Sequence, residues 1–318
     1  MKNRILEKIK YELQFKNPQY YTRIKEKVTK TYLRRVLKRR ALALPPISLN
    51  ADNAALTLAI LANKRNLFES IAAIYSFCFW YKNVHVDYHE DGTLSEDDIL
   101  ILEKKFPGII VYRRAAQDQL TGDYLISQGL HSCAQLRNEF VLSLKLVDTV
   151  YNKRSKYLLL IDSDVLFFAR PNEIIDIVEN GTFKGCYNKD QSNYYCFSNE
   201  IMEKYLQTRV VDQFNSGVFL FDFDLDFLQF VEEILKNELV LPAPWHIEQT
   251  LFAMYVTHAG NFKELPESYD LASRRRNMGH PITSEHYVHN AGYNFHKDFI
   301  YKLYPMFKKA NQESFEQH

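Results

Sequence analysis

The run Tyr157–Phe168 constrains this chain most. Tyr157-Leu158-Leu159-Leu160-Ile161 is an unbroken apolar stretch, the pattern of a strand buried on both faces. It stops at Asp162-Ser163-Asp164, and apolar residues resume at once with Val165-Leu166-Phe167-Phe168. A desolvated carboxylate is costly unless something neutralises it. Two carboxylates at i and i+2, closing a buried strand, predict a divalent cation held by oxygen ligands, Mn²⁺ or Mg²⁺. The plainer reading is a strand end with two solvated acids.

Around this run, strands alternate with helices, the mark of a mostly parallel sheet. The pattern predicts strands over 55–62, 84–88 and 109–113, and a helix over 66–79. Another helix is capped at Ser95-Glu96-Asp97-Asp98 and runs to about Phe106. A long helix is expected from Cys133 to Tyr151, delivering the chain to the strand before Asp162. At 318 residues and 46% apolar content, the chain has enough material for a large α/β core. Four cysteines without metal-type pairing point to reduced thiols. The start of the chain does not read as a secretory leader, and no apolar run reaches the ~18 residues of a membrane span. These features predict a cytoplasmic enzyme.

Charge is distributed unevenly. Residues 1–40 hold 14 Lys/Arg against 3 Glu, a balance of +11 that the net charge of +1 conceals. Ile5, Ile9 and Leu13 suggest one helix, broken at Asn17-Pro18. Ile24, Val28, Tyr32, Val36 and Leu37 form the apolar stripe of a second. The division expected is a basic helical extension over 1–46, ending at Leu44-Pro45-Pro46, and a catalytic domain over 47–318. A basic amphipathic helix suits the anionic inner face of a membrane, as a peripheral contact. It suits equally well packing on the body or on a second subunit. No recognised module supports nucleic-acid binding.

Further polar groups interrupt apolar segments. Ala62-Asn63-Lys64-Arg65 ends the first strand, where a nucleotide binds in open α/β sheets. Asn63 suits the base or ribose, and Arg65 the phosphates. Asn215-Ser216-Gly217 opens a strand at 213–222, with Asn215 able to bond a sugar hydroxyl and Gly217 letting a ligand approach the backbone. Trp245-His246-Ile247-Glu248-Gln249 opens a helix and suits a sugar-binding wall. His286-Tyr287-Val288-His289 supplies an imidazole to complete a Mn²⁺ site beside Asp164.

In this order the motifs resemble the GT-A glycosyltransferases, most nearly the retaining family 8 of glycogenin and bacterial lipopolysaccharide sugar transferases. The resemblance covers about residues 55–300. It implies a GT-A-type, Rossmann-like mixed sheet, mostly parallel and flanked by helices. It implies transfer of a hexose from a nucleotide-diphosphate sugar, with UDP as the expected carrier, to an acceptor. Asp162, Ser163 and Asp164 would face metal and donor, and His289 of His-x-x-Gly would be the third ligand, leaving His286 aside. Asn215 and Gly217 would line the sugar pocket, with Glu248-Gln249 in place of the family's Asp-Gln. The family's lysine falls at Phe295, and Lys297 comes two residues later. If transfer inverts configuration, Glu248 is the expected base. If it retains, Glu248 stabilises charge on the sugar. Two alternatives compete: a haloacid-dehalogenase-type phosphatase with Asp162 as nucleophile, and a non-catalytic scaffold docked through the basic head.

Overall fold

A computed structural model of the protein describes residues 18–271, 281–288 and 292–316, with side chains between 26 and 313. The first expected head helix and His289 lie outside the described residues.

The sheet is built as the alternation predicts. β1 (Leu56–Ala62), β2 (His85–Glu90) and β3 (Ile110–Tyr112) are linked through the helices Leu67–Trp80 and Glu96–Lys105. β4 (Tyr157–Ile161) pairs parallel to β1 in the centre. β5 (Val165–Phe167) leaves the main sheet. β6 (Gly185–Lys189), β7 (Phe214–Phe221) and β8 (Phe262–Glu264) complete seven strands in the order β3-β2-β1-β4-β7-β6-β8. β7 runs antiparallel to both its neighbours, and the other pairings are parallel. Successive side chains of β4 enter opposite cores. Leu159 and Ile161 pack with the helix Leu67–Trp80, and Leu158 and Leu160 with the helices Asp226–Glu238 and Ile247–Ala259. Every β4 residue is buried, each contributing roughly 2 kcal/mol by leaving water. Ser95 forms the expected capping box with Asp98.

A second, three-stranded sheet sits beside the acids. β10 (Ser284–His286) lies between β5 and β9 (Tyr269–Leu271), antiparallel to β5 and parallel to β9.

One expectation is corrected. The stretch 133–151 is not one helix but three short ones, His131–Glu139, Ser143–Leu146 and Asp148–Tyr151. The chain turns extended at Phe140. Ser143 Oγ donates to the carbonyls of Leu136 and Phe140, competing with the helix ladder. Buried Arg137 grips both carboxylate oxygens of Asp148 at 2.8 Å, tying the turns into a compact corner.

The basic helix Pro18–Ala43 packs on the body, one of the outcomes its sequence left open. Its buried side is Leu33, Leu37 and Ala41, followed by Leu44, and Val28 and Tyr32 are exposed. Arg40 donates to the Ile300 carbonyl at 2.6 Å and stacks on Tyr304, while Lys38 lies over Phe68. The carboxyl-terminal half of the helix is thereby part of the core on this side of the sheet. No helix among the described residues is long and apolar enough to cross a membrane.

Candidate active site

The carboxyl end of β4 opens into a cleft of about 520 Å³. Asp162 and Asp164 are partly exposed at its floor, 32% and 39%. β5 begins immediately afterwards, and its pairing with β10 sets Val165 opposite His286. The Tyr287 N–H donates to the Asp164 carbonyl at 2.9 Å, locking this register. His286 Nε2 therefore lies 3.3 Å from Asp164 Oδ1 and 3.5 Å from Asp162 Oδ2.

Asn215 orients the imidazole. Its amide nitrogen donates to Asp190 at 2.7 Å. Its carbonyl oxygen accepts from the Gly217 N–H at 2.9 Å and faces His286 Nδ1 at 3.1 Å. Nδ1 is thus the donor, and Nε2 is directed at the two acids. Burial works against charge on this ring, but Asp164, by charge and hydrogen bond, and then Asp162 raise its pKa above the ordinary value.

Behind the acids is a buried cation. Lys145, from the short helix Ser143–Leu146, donates to Asp162 Oδ1 at 2.8 Å and lies 3.4 Å from Glu248 Oε1. Glu248 Oε2 accepts from Ser216 Oγ at 3.3 Å. Burial opposes ionisation of Asp162, yet Lys145 and His286 together hold its carboxyl below the ordinary range. Burial is the larger influence on Glu248 and moves it upward in spite of Lys145. The floor is a charge ladder, Glu248–Lys145–Asp162–His286–Asp164.

This donor set fits a divalent cation. One atom from each of Asp162, Asp164 and His286 lies within 4.8 Å of the others. Two carboxylates with one imidazole suit Mn²⁺ or Mg²⁺. The fixed Nδ1 contact is the orienting partner that metal-binding histidines usually have.

The expected residues divide around the cleft. Ala62, Asn63, Ser163, Asn215, Gly217, Glu248 and Gln249 all line it. Asn63 is committed in part, since its side chain caps the turn Lys64–Asn66 by accepting from two backbone N–H groups. Arg65 lines an adjoining groove instead. Lys297 does not line the cleft; its ammonium lies 4.1 Å from the centre of the Tyr293 ring. Trp245 stands 68% exposed at the rim, its ring against Phe140. Among the described residues, the histidine beside the acids is His286, which was expected to stand aside, while the expected His289 lies outside the described residues. Lys145 and Asp190 were not foreseen. The signal for Lys145 was a lone lysine in the apolar run Leu142–Val147.

A scan against protein-family models finds no match, and no curated protein matches in sequence. Solved structures do match. The WbbM bifunctional glycosyltransferase in its apo form is similar at a TM-score of 0.52 and 14% identity, over 82% of this chain and 53% of that one. Mouse xyloside xylosyltransferase 1, apo form, gives 0.48 and 13%, over 74% and 98%. The galactosyltransferase LgtC, in complex with donor and acceptor sugar analogues, gives 0.45 and 12%, over 77% and 95%. This chain spans about half the length of WbbM. At such identities the likeness is one of fold. The mixed, mostly parallel seven-stranded sheet flanked by helices matches that of GT-A glycosyltransferases.

Proposed function

We propose that this protein is a metal-dependent glycosyltransferase, moving a hexose from a nucleotide-diphosphate sugar, with UDP the expected carrier, to an acceptor. The observation that carries the reading is the meeting of Asp162, Asp164 and His286 at the mouth of a polar cleft, at the carboxyl end of a central strand. These three residues would hold Mn²⁺ or Mg²⁺. The chemistry such a cation supplies when bound is neutralisation of the departing diphosphate.

The remaining residues act on position and charge. Lys145 keeps Asp162 ionised and aimed at the cleft mouth. Glu248 is engaged by Lys145 and Ser216, so its role is to hold Lys145 in place, not to take a proton from an acceptor. That engagement favours retention of configuration, in which no enzyme base is required. Asn215 sets the His286 ring, and Gln249, whose carbonyl accepts from the Ser216 N–H and whose amide donates to the Tyr194 carbonyl, each at 3.5 Å, lines the same cleft. The phosphatase alternative expects its acidic motif at the end of the first strand, and here the acids follow β4.

The test is hydrolysis of a panel of UDP- and GDP-sugars with and without Mn²⁺, beside a phosphomonoester control. Slow, Mn²⁺-dependent release of free sugar from one donor supports the reading. Turnover of the monoester alone rejects it.

A further inference from the structure

The N-terminal helix forms one wall of a second groove, of about 440 Å³, next to the cation cluster. The groove and the main cleft share Asn66, Ser163 and Asp164. They therefore adjoin at Asp164, while Asn215, Glu248 and Gln249 line only the main cleft.

Their charges differ. Lys145 is the one Lys or Arg lining the main cleft among the described residues, and it is spent on Asp162 and Glu248. The groove is lined by Lys30 and Arg34, one helical turn apart, and by Arg65 from the segment after β1. Arg34 Nε is 3.6 Å from Glu69 Oε1, which also meets His296 Nε2 at 2.9 Å. That contact engages one edge of the guanidinium and leaves donors on the other. Lys30 and Arg65 have no ion-pair partner among the described residues.

A donor diphosphate carries more negative charge than one divalent cation cancels between two aspartates. The main cleft offers no uncommitted cation among the described residues, and the adjoining groove offers two, Lys30 and Arg65, with Arg34 engaged on one edge only. We infer that Lys30, Arg34 and Arg65 bind the diphosphate of the nucleotide-sugar donor, so that the basic helix is a wall of the active site. This rests on the glycosyltransferase reading above. It assigns the basic helix to substrate and not to a membrane surface.

The test uses the full chain in Mn²⁺, with UDP, GDP and inorganic pyrophosphate as calorimetric probes. The variant Lys30→Gln/Arg65→Gln leaves the Arg34–Glu69 contact intact. It is expected to bind UDP or GDP, whichever the wild type prefers, and pyrophosphate at least about tenfold more weakly, as loss of charge-assisted contacts implies. Its melting temperature should be unchanged. A control, Arg35→Gln/Arg39→Gln, removes the same charge from the helix outside the groove and should bind as the wild type does. Equal weakening by both variants would reduce the effect to a general field and overturn the site. Unchanged nucleotide binding in the groove variant overturns this inference and leaves the glycosyltransferase reading standing. Weakened pyrophosphate binding with intact nucleotide binding overturns the assignment to the donor. A wild type that binds none of the three probes in Mn²⁺ removes both.

Discussion

Gly217 and His286 are in contact at a distance that only glycine allows. A methyl group on residue 217 would lie 2.1 Å from His286 Cε1 and 2.3 Å from Nδ1. The glycine is needed for the imidazole, since its own backbone conformation is not one restricted to glycine.

Gly217→Ala should therefore fold and lose the metal site. The ring would be driven from Asn215 and from the two acids. Expected is at least roughly tenfold weaker Mn²⁺ binding by calorimetry, the size usual for loss of an orienting partner, with an unchanged circular dichroism spectrum. Mn²⁺ affinity equal to the wild type would show that His286 is not a ligand.

Asp164→Asn removes a partly exposed carboxylate with little structural burden. Stability should stay within about 0.5 kcal/mol, the ordinary range for such surface changes. Metal-dependent donor hydrolysis should disappear. A variant with full activity in Mn²⁺ contradicts the proposed function.

The two histidines are separable. His286→Ala should abolish the Mn²⁺ response of donor binding, and His289→Ala should leave it. The reverse result would return the ligand role to His289.

Lys145 is 6% exposed between two carboxylates. Lys145→Met should destabilise the fold by about 3–5 kcal/mol, because it strands buried Glu248 and leaves Asp162 without its partner. Adding Glu248→Gln should restore part of the loss. Urea titration of the single and double variants measures both effects, and additive losses would refute the ladder.

His89 gives stability an acid limit. It is buried on β2 and stacks on Tyr112, and burial pushes its pKa down to about 3. Between that value and the unfolded value near 6.5, the unfolded chain binds a proton that the folded chain refuses. This contribution is fully present above about pH 6.5 and is lost as pH falls, at up to roughly 1.4 kcal/mol per pH unit. His89→Phe keeps the stack and should flatten this part of the urea-derived profile from pH 4 to 7. An unchanged slope would place the acid sensitivity elsewhere.

Local signals in the sequence were sufficient for much of the frame. The apolar run Tyr157–Ile161 encodes a strand buried on both faces whatever surrounds it, and Ser95 with Asp98 caps a helix through neighbours three residues apart. Asp162 and Asp164 are close because only Ser163 separates them in the chain. The cations and the imidazole were decided by tertiary structure. Helical propensity across 133–151 was overridden by Ser143 and by the Arg137–Asp148 pair, and only that break turns Lys145 toward Asp162. His286 reaches Asp164 through the β5–β10 register, a pairing of segments far apart in sequence. The basic helix shows why such choices stay hidden. Val28 and Tyr32 belong to the same apolar stripe as Leu37, yet they are exposed while Leu37 is buried. Periodicity specifies which face of a helix is apolar, whereas burial depends on where the partner surface begins and ends.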